Sequence, residues 1–376
     1  MNSTEQRLEQ IRGSLPPLAH NARTLAALTT NPGCARRAIM DAAGVDKRAV
    51  AARVGFAPPY GQSPFAITRT RAFTAQVKAN GCAELLRMLR EVLDLPLPEV
   101  AYQDLDDAGG NESQEVRHAL ARTVLGAAAR RTEDDFGTLF DHPLLRLPVG
   151  GRHVFLEPDL IALQYRGTFH IIEIKSFAVI DGQADGGKVA AAAMQSAVYV
   201  VALRRLLEDL GHDPGCVSDR VVLVCPENFS NHAVATRIDV RRQLTVLRRQ
   251  LDRMRRVDEL LASLDPGLTF DLAPDRDGRP TRPAGELCAA IEDIPARYSP
   301  DCLSMCEMSY FCRQEARGST HALGKSVSEE LGSVDWIDTA LALADGTAWP
   351  APEQEEAATV LRTALRMREE CLGAPA

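Results

Sequence analysis

Glu157-Pro158-Asp159, then thirteen residues, then Glu173-Ile174-Lys175 closing the run Thr168-Phe169-His170-Ile171-Ile172: this stretch decides how the 376-residue chain is read. The run from Thr168 is rich in β-branched and aromatic residues, as a strand requires. On a strand, residues i and i+2 share a face, so Glu173 and Lys175 project together while Ile174 turns the other way, into a core. The Ile174 carbonyl then stays available to a metal ion. Asp159, ending the preceding hairpin, can reach the same point. Two carboxylates and a backbone carbonyl are the hard oxygen donors that Mg²⁺ or Mn²⁺ prefers. A lysine beside them can orient an attacking water and offset developing negative charge. A solvated polar stripe would also show Glu-x-Lys, and the upstream Pro-Asp is what separates the two readings.

Working outward, His153–Leu156, Leu160–Leu163 and Arg220–Val224 are short strand-like runs, the last unbroken in its apolar character. An Ala- and Leu-rich helix is expected over 187–210, between the last two strands. Strand, strand, helix, strand is an α/β signature. Helices are also expected at 4–14, in pieces over 19–55, at 70–93, at 112–131, as one long element over 239–264, and at 353–371. Loops are expected at 57–66 and 271–285. The expected fold is α/β: a mixed sheet of four or five strands flanked by helices, in a largely helical chain. Three regions follow in order. Residues 1–110 are helical, 111–270 hold the core and the long helix, and 271–376 hold a cysteine cluster and a helical tail.

The Asp-Glu-Lys pattern resembles the PD-(D/E)xK nuclease superfamily, and within it the RecB-like branch. The resemblance implies a restriction-endonuclease-like sheet and metal-dependent hydrolysis of DNA phosphodiester bonds. Asp159, Glu173 and Lys175 would form its catalytic core. That branch carries Gln-x-x-x-Tyr on the next helix, and Gln195 and Tyr199 stand at i and i+4. These two would orient the DNA strand and support the lysine. An upstream His or Glu is usual as a further metal ligand. His118, sharing a helix face with Glu115, is the candidate, although a lone helical histidine is more often structural.

Cys34-Ala35-Arg36-Arg37 near the start and Cys302, Cys306 and Cys312 near the end are similar to the four cysteines of a subset with an iron–sulfur cluster. AddB-type nucleases and CRISPR-associated RecB-like exonucleases belong to it. The resemblance implies a [4Fe–4S] cluster on four thiolates, with Zn²⁺ the alternative occupant. Three residues rather than two separate Cys302 from Cys306, a departure from the usual spacing.

The remaining five of nine cysteines, Cys82, Cys216, Cys225, Cys288 and Cys371, read as ordinary thiols. Basic residues number 43 against 51 acidic, a net of -8, which argues against indiscriminate nucleic-acid binding but leaves room for a local basic track. Arg242, Arg249, Arg253 and Arg256 form such a row, and a charged face opposite a leucine seam explains them equally well. The polar N-terminus and the lack of a long apolar run suggest a cytoplasmic protein with no membrane partner. DNA, expected to be single-stranded, is the partner implied, in repair, recombination or defence against foreign DNA, with a helicase or defence-complex protein alongside. A non-catalytic iron–sulfur scaffold of such a complex and an iron–sulfur redox sensor are the rival readings.

Overall fold

The computed structural model describes residues 3–18, 22–58, 64–96, 99–105, 113–132, 136–156, 160–228, 230, 232–254 and 256–373. It resolves into two compact units, one built from 16–32 and 60–263, the other from 1–15, 33–59 and 264–376. The protein is α/β.

The first unit holds eight strands: β1 (Glu99–Asp104), β2 (Phe136–Asp141), β3 (Leu145–Val149), β4 (Arg152–Leu156), β5 (Leu160–Tyr165), β6 (Thr168–Ile174), β7 (Arg220–Pro226) and β8 (Ala233–Asp239). Six form one mixed sheet in the order β1-β2-β5-β6-β7-β8, and β3 pairs with β4 as a separate hairpin. The expected strand 153–156 is therefore present, as β4, but outside the main sheet. Among the described residues the sheet has six strands rather than four or five: β1, β2 and the half-exposed edge strand β8, charged toward its C-terminal end, were not expected.

β5 and β6 run antiparallel, and β6 and β7 run parallel. A parallel pair needs a crossover, supplied by the helix Gly186–Glu208. Its length and composition would suit a membrane, yet half of its most apolar window is buried inside the protein. It lies on β6 and β7, and Ala192 joins Leu223 and Cys225 in one buried cluster. The opposite face of the sheet, with Leu139, Leu163, Ile172, Ile174, Val222 and Val224, packs against Leu85, Met88 and Leu89. Ile174 thus points into a core, as its position between Glu173 and Lys175 requires.

Two expected helices are broken. The element expected over 70–93 is two, Pro64–Val77 and Ala79–Leu93, and Asn80, Gly81 and Cys82 at the start of the second have positive φ. Asn-Gly is turn chemistry, and it outweighs helical periodicity here. The long helix over 239–264 ends at Arg253 and restarts as Val257–Ala262. Met254 is extended, and the Val257 N–H donates to the Gly150 carbonyl at 3.0 Å. A contact from the β3–β4 turn thus competes with the helical ladder, and Arg256 turns aside to pair with Asp258 at 2.9 Å.

The second unit is helical: Ser3–Arg12, Ala35–Ala43, Lys47–Arg53, Ala284–Glu292, Cys302–Met305, Ser309–Glu315, Lys325–Leu331, Ile337–Asp345 and Glu355–Gly373. Cys34 caps the start of Ala35–Ala43. Segments far apart in sequence meet: the Arg36 N–H donates to the Pro295 carbonyl at 3.1 Å. The last two helices close on a small core of Leu331, Val334, Ala340, Leu343, Ala357 and Ala358.

Candidate functional site

Glu173 is 1% exposed, at the end of a central strand. A carboxylate so enclosed stays ionised only beside a cation. Lys175 provides it: its Nζ lies 2.5 Å from Glu173 Oε1. The same ammonium donates to Gln195 Oε1 at 2.7 Å. Strand alternation brings the lysine to the carboxylate, and the crossover helix brings the amide to both. Lys175 remains 25% exposed, so the group is open to solvent on one side.

Asp159 lies outside the described residues. Leu160, its neighbour in the chain, pairs with Glu173 in the β5–β6 register. Tyr199, one turn beyond Gln195 on the same helix, is buried, 2% exposed. His118 is buried, 8% exposed. Its Nδ1 lies 2.9 Å from the Leu144 carbonyl, an acceptor, so Nδ1 carries the proton and Nε2 keeps its lone pair. Burial lowers its pKa and keeps it neutral. Its ring packs edge-on to Phe155 at 5.8 Å.

Two neighbours carried no signal in the sequence. Cys225 on β7 is buried, its thiol pushed up to about 12 by burial, with Lys175 pulling it down and Glu173 up. Ser176, directly after the lysine, shares a 2.7 Å hydrogen bond with Thr70 of the helix Pro64–Val77. That helix therefore borders the same end of the strand.

A second carboxylate cluster occupies the other face of the sheet. Asp141, 0% exposed, accepts from Lys78 Nζ at 2.8 and 2.7 Å, from the Tyr102 hydroxyl at 2.6 Å and from the His142 N–H at 3.1 Å. His142 Nδ1 is 3.0 Å from Asp104. Asp104, Asp141 and His142 are the three ligand-type side chains, among the described residues, whose donor atoms lie mutually within 4.8 Å. Lys78 already sits among them.

The four cysteines lie in the helical unit, although no three of their Sγ atoms come mutually within 4.8 Å. Cys34, Cys306 and Cys312 are buried and Cys302 half-buried. Cys306 and Cys34 both act electrostatically on Cys312, and Cys302 and Cys312 both act on the Tyr298 phenol. Burial pushes the Cys306 thiol up to about 11 and that of Cys312 to about 12. Arg37 and Lys47 pull the first down, and Arg36 the second. Arg36, Arg37 and Lys47 are 2%, 5% and 7% exposed, so three buried cations surround these sulfurs. Thiol donors with buried cations beside two of them, Cys306 and Cys312, are the chemistry a negatively charged thiolate centre would need.

Comparison with family models, with curated proteins and with solved structures gives no match.

Proposed function

We propose that the chain is a metal-dependent DNA nuclease of the PD-(D/E)xK type, RecB-like in its motifs, with a four-cysteine iron–sulfur centre. The observation that carries this is the Lys175 ammonium held between the Glu173 carboxylate and the Gln195 amide at a strand end. The Leu160–Glu173 register agrees with it, since it sets the residue after Asp159 opposite the second carboxylate. Glu173, Asp159 and the Ile174 carbonyl would hold Mg²⁺ or Mn²⁺, with His118 as a further ligand through its Nε2. When bound, that ion polarises a water and a phosphate oxygen. Lys175 positions the water through its remaining N–H and offsets charge on the phosphate, and Gln195 fixes the ammonium. Single-stranded DNA or DNA ends are the proposed substrate.

A scaffold role remains the second reading. It is favoured by apolar surface in the C-terminal segment, where Leu341 on the helix Ile337–Asp345 and Trp336 just before it are each 60% exposed and Trp349 in the following loop is 94% exposed. End-labelled single-stranded DNA incubated with the chain and Mn²⁺ separates the two. Shortened products are expected from the wild type, and Lys175→Ala should cut their rate by about 10²–10⁴-fold, the range for loss of a general acid–base or positioning group. Equal products from both proteins, or none from either, would sink the catalytic reading.

A further inference from the structure

We infer that Arg36 sets the reduction potential of the centre held by Cys34, Cys302, Cys306 and Cys312, raising it through a hydrogen bond to the Cys312 sulfur. The inference rests on the iron–sulfur reading of those cysteines and is independent of DNA cleavage. Arg36 is 2% exposed, and its fork has a definite arrangement. Nε donates to the Ile294 carbonyl at 3.1 Å, Nη2 to Glu315 Oε1 at 2.9 Å, and Nη1 to both Glu315 Oε2 and the Cys312 Sγ at 3.2 Å. The Phe311 ring lies beneath it, 5.6 Å from centroid to guanidinium carbon.

A neutral thiol is a weak acceptor and gives a buried guanidinium little reason to point at it. A thiolate is a strong one, and a donor aimed at it becomes a charge-assisted bond. Metal binding makes Cys312 a thiolate. The other two cations are differently placed. Arg37 Nε lies 3.2 Å from Asp41, and Lys47 pairs with the same carboxylate, with Glu307 at 3.7 Å from the lysine. Asp41 therefore offsets much of their charge locally. Glu315 offsets the charge of Arg36 as well, so what sets Arg36 apart from these two is its bond to the Cys312 sulfur.

Adding an electron to a four-thiolate centre increases its negative charge. A fixed cation and an N–H···S bond then stabilise the reduced form more than the oxidised one, which raises the potential. Glu315 works against this by neutralising the guanidinium. Removing either partner of the Arg36–Glu315 pair should therefore move the potential in opposite directions. A merely structural role for the pair predicts the same direction, loss of the centre, for both.

The test uses the whole chain, loaded anaerobically with iron and sulfide, with iron per chain and an optical redox titration as readouts. Arg36→Gln should keep its iron and lower the midpoint potential, favouring the oxidised form about tenfold at a fixed applied potential, 59 mV for one electron. Arg36→Lys should shift it the same way by less, and Glu315→Gln should raise it. An unchanged potential in Arg36→Gln with full iron content overturns the inference and leaves the iron–sulfur reading standing. Should Arg36→Gln fail to hold iron, Glu315→Gln decides: an upward shift supports the inference, and a downward or absent shift overturns it. A wild-type chain that takes zinc and no iron removes both the reading and the inference, whatever the nuclease assay returns.

Discussion

Two carboxylates on opposite faces of one sheet, Glu173 and Asp141, are buried to the same extent and each is held by a lysine. Their surroundings differ in one respect. Asp141 offers about four lone-pair sites, and Lys78, Tyr102 and the His142 N–H occupy them in four contacts. Lys78 in turn has both Asp141 oxygens and His142 Nε2, 3.5 Å away, around its three donors. Among the described residues the donors and acceptors of that cluster are matched, although Lys78 is itself 19% exposed. Lys175 has Glu173 and Gln195, the latter neutral, and is a quarter exposed. Among the described residues two of its three donors are engaged, and the third is the one proposed for an incoming group. The same ion pair thus ties strands and helix together on one face and stays available on the other. Composition does not distinguish them, whereas the count of donors and acceptors does.

The largest effect that would break this comparison is on stability. Asp141→Asn leaves the Lys78 ammonium, 19% exposed, without its counter-charge and turns an amide N–H₂ toward donors. The expected cost is about 3–5 kcal/mol, as for other broken buried pairs. Glu173→Gln leaves Lys175 with Gln195 and water, and should cost about 1 kcal/mol or less while abolishing cleavage. Urea unfolding of both variants measures this. Equal costs would show that the two clusters are of one kind.

A second effect concerns charge on the Asp141 face. His170, two residues before Ile172 and so on that face, is pushed down to about 4 by burial. Its Nδ1 has no hydrogen-bond partner among the described residues. The folded pKa lies below the ordinary value near 6.5, so the folded state binds fewer protons than the unfolded chain between the two. The stability contribution is present above about 6.5 and is lost as pH falls toward 4, by roughly 3 kcal/mol in all. His170→Leu should flatten that part of the stability curve. An unchanged slope between pH 7 and 4.5 would mean that His170 can charge in place.

The open face was largely legible in the sequence, because its rules are local. Period two set Glu173 and Lys175 together and Ile174 in the core, whereas the place of Gln195 beside the lysine came only from the family resemblance. The Asp141 face was not, because its members come from two strands and a helix junction. β1 and β2 carried no period-two signal, and Lys78 reaches Asp141 only because the helix pair is broken by Asn80-Gly81. The break after Arg253 likewise depends on the distant Gly150 carbonyl.

The smallest effect is the sharpest test of what the open donor does. Gln195→Leu removes the neutral acceptor and leaves the Lys175–Glu173 pair intact. No buried charge loses its counter-ion, so stability should change by about 1 kcal/mol or less. The ammonium can then rotate about Glu173, and its third N–H no longer points in one direction. Misaiming a positioned group lowers the rate of the chemical step more than it weakens binding. A fall of about tenfold in kcat, with KM near the wild-type value, is therefore expected. Gln195→Asn keeps the amide but shortens its reach, and should fall in between if the 2.7 Å contact is what matters. A loss confined to KM would place Gln195 on the DNA and not on the lysine. Full activity in Gln195→Leu would mean that Glu173 alone fixes Lys175, and the third donor would have to be aimed by the substrate itself.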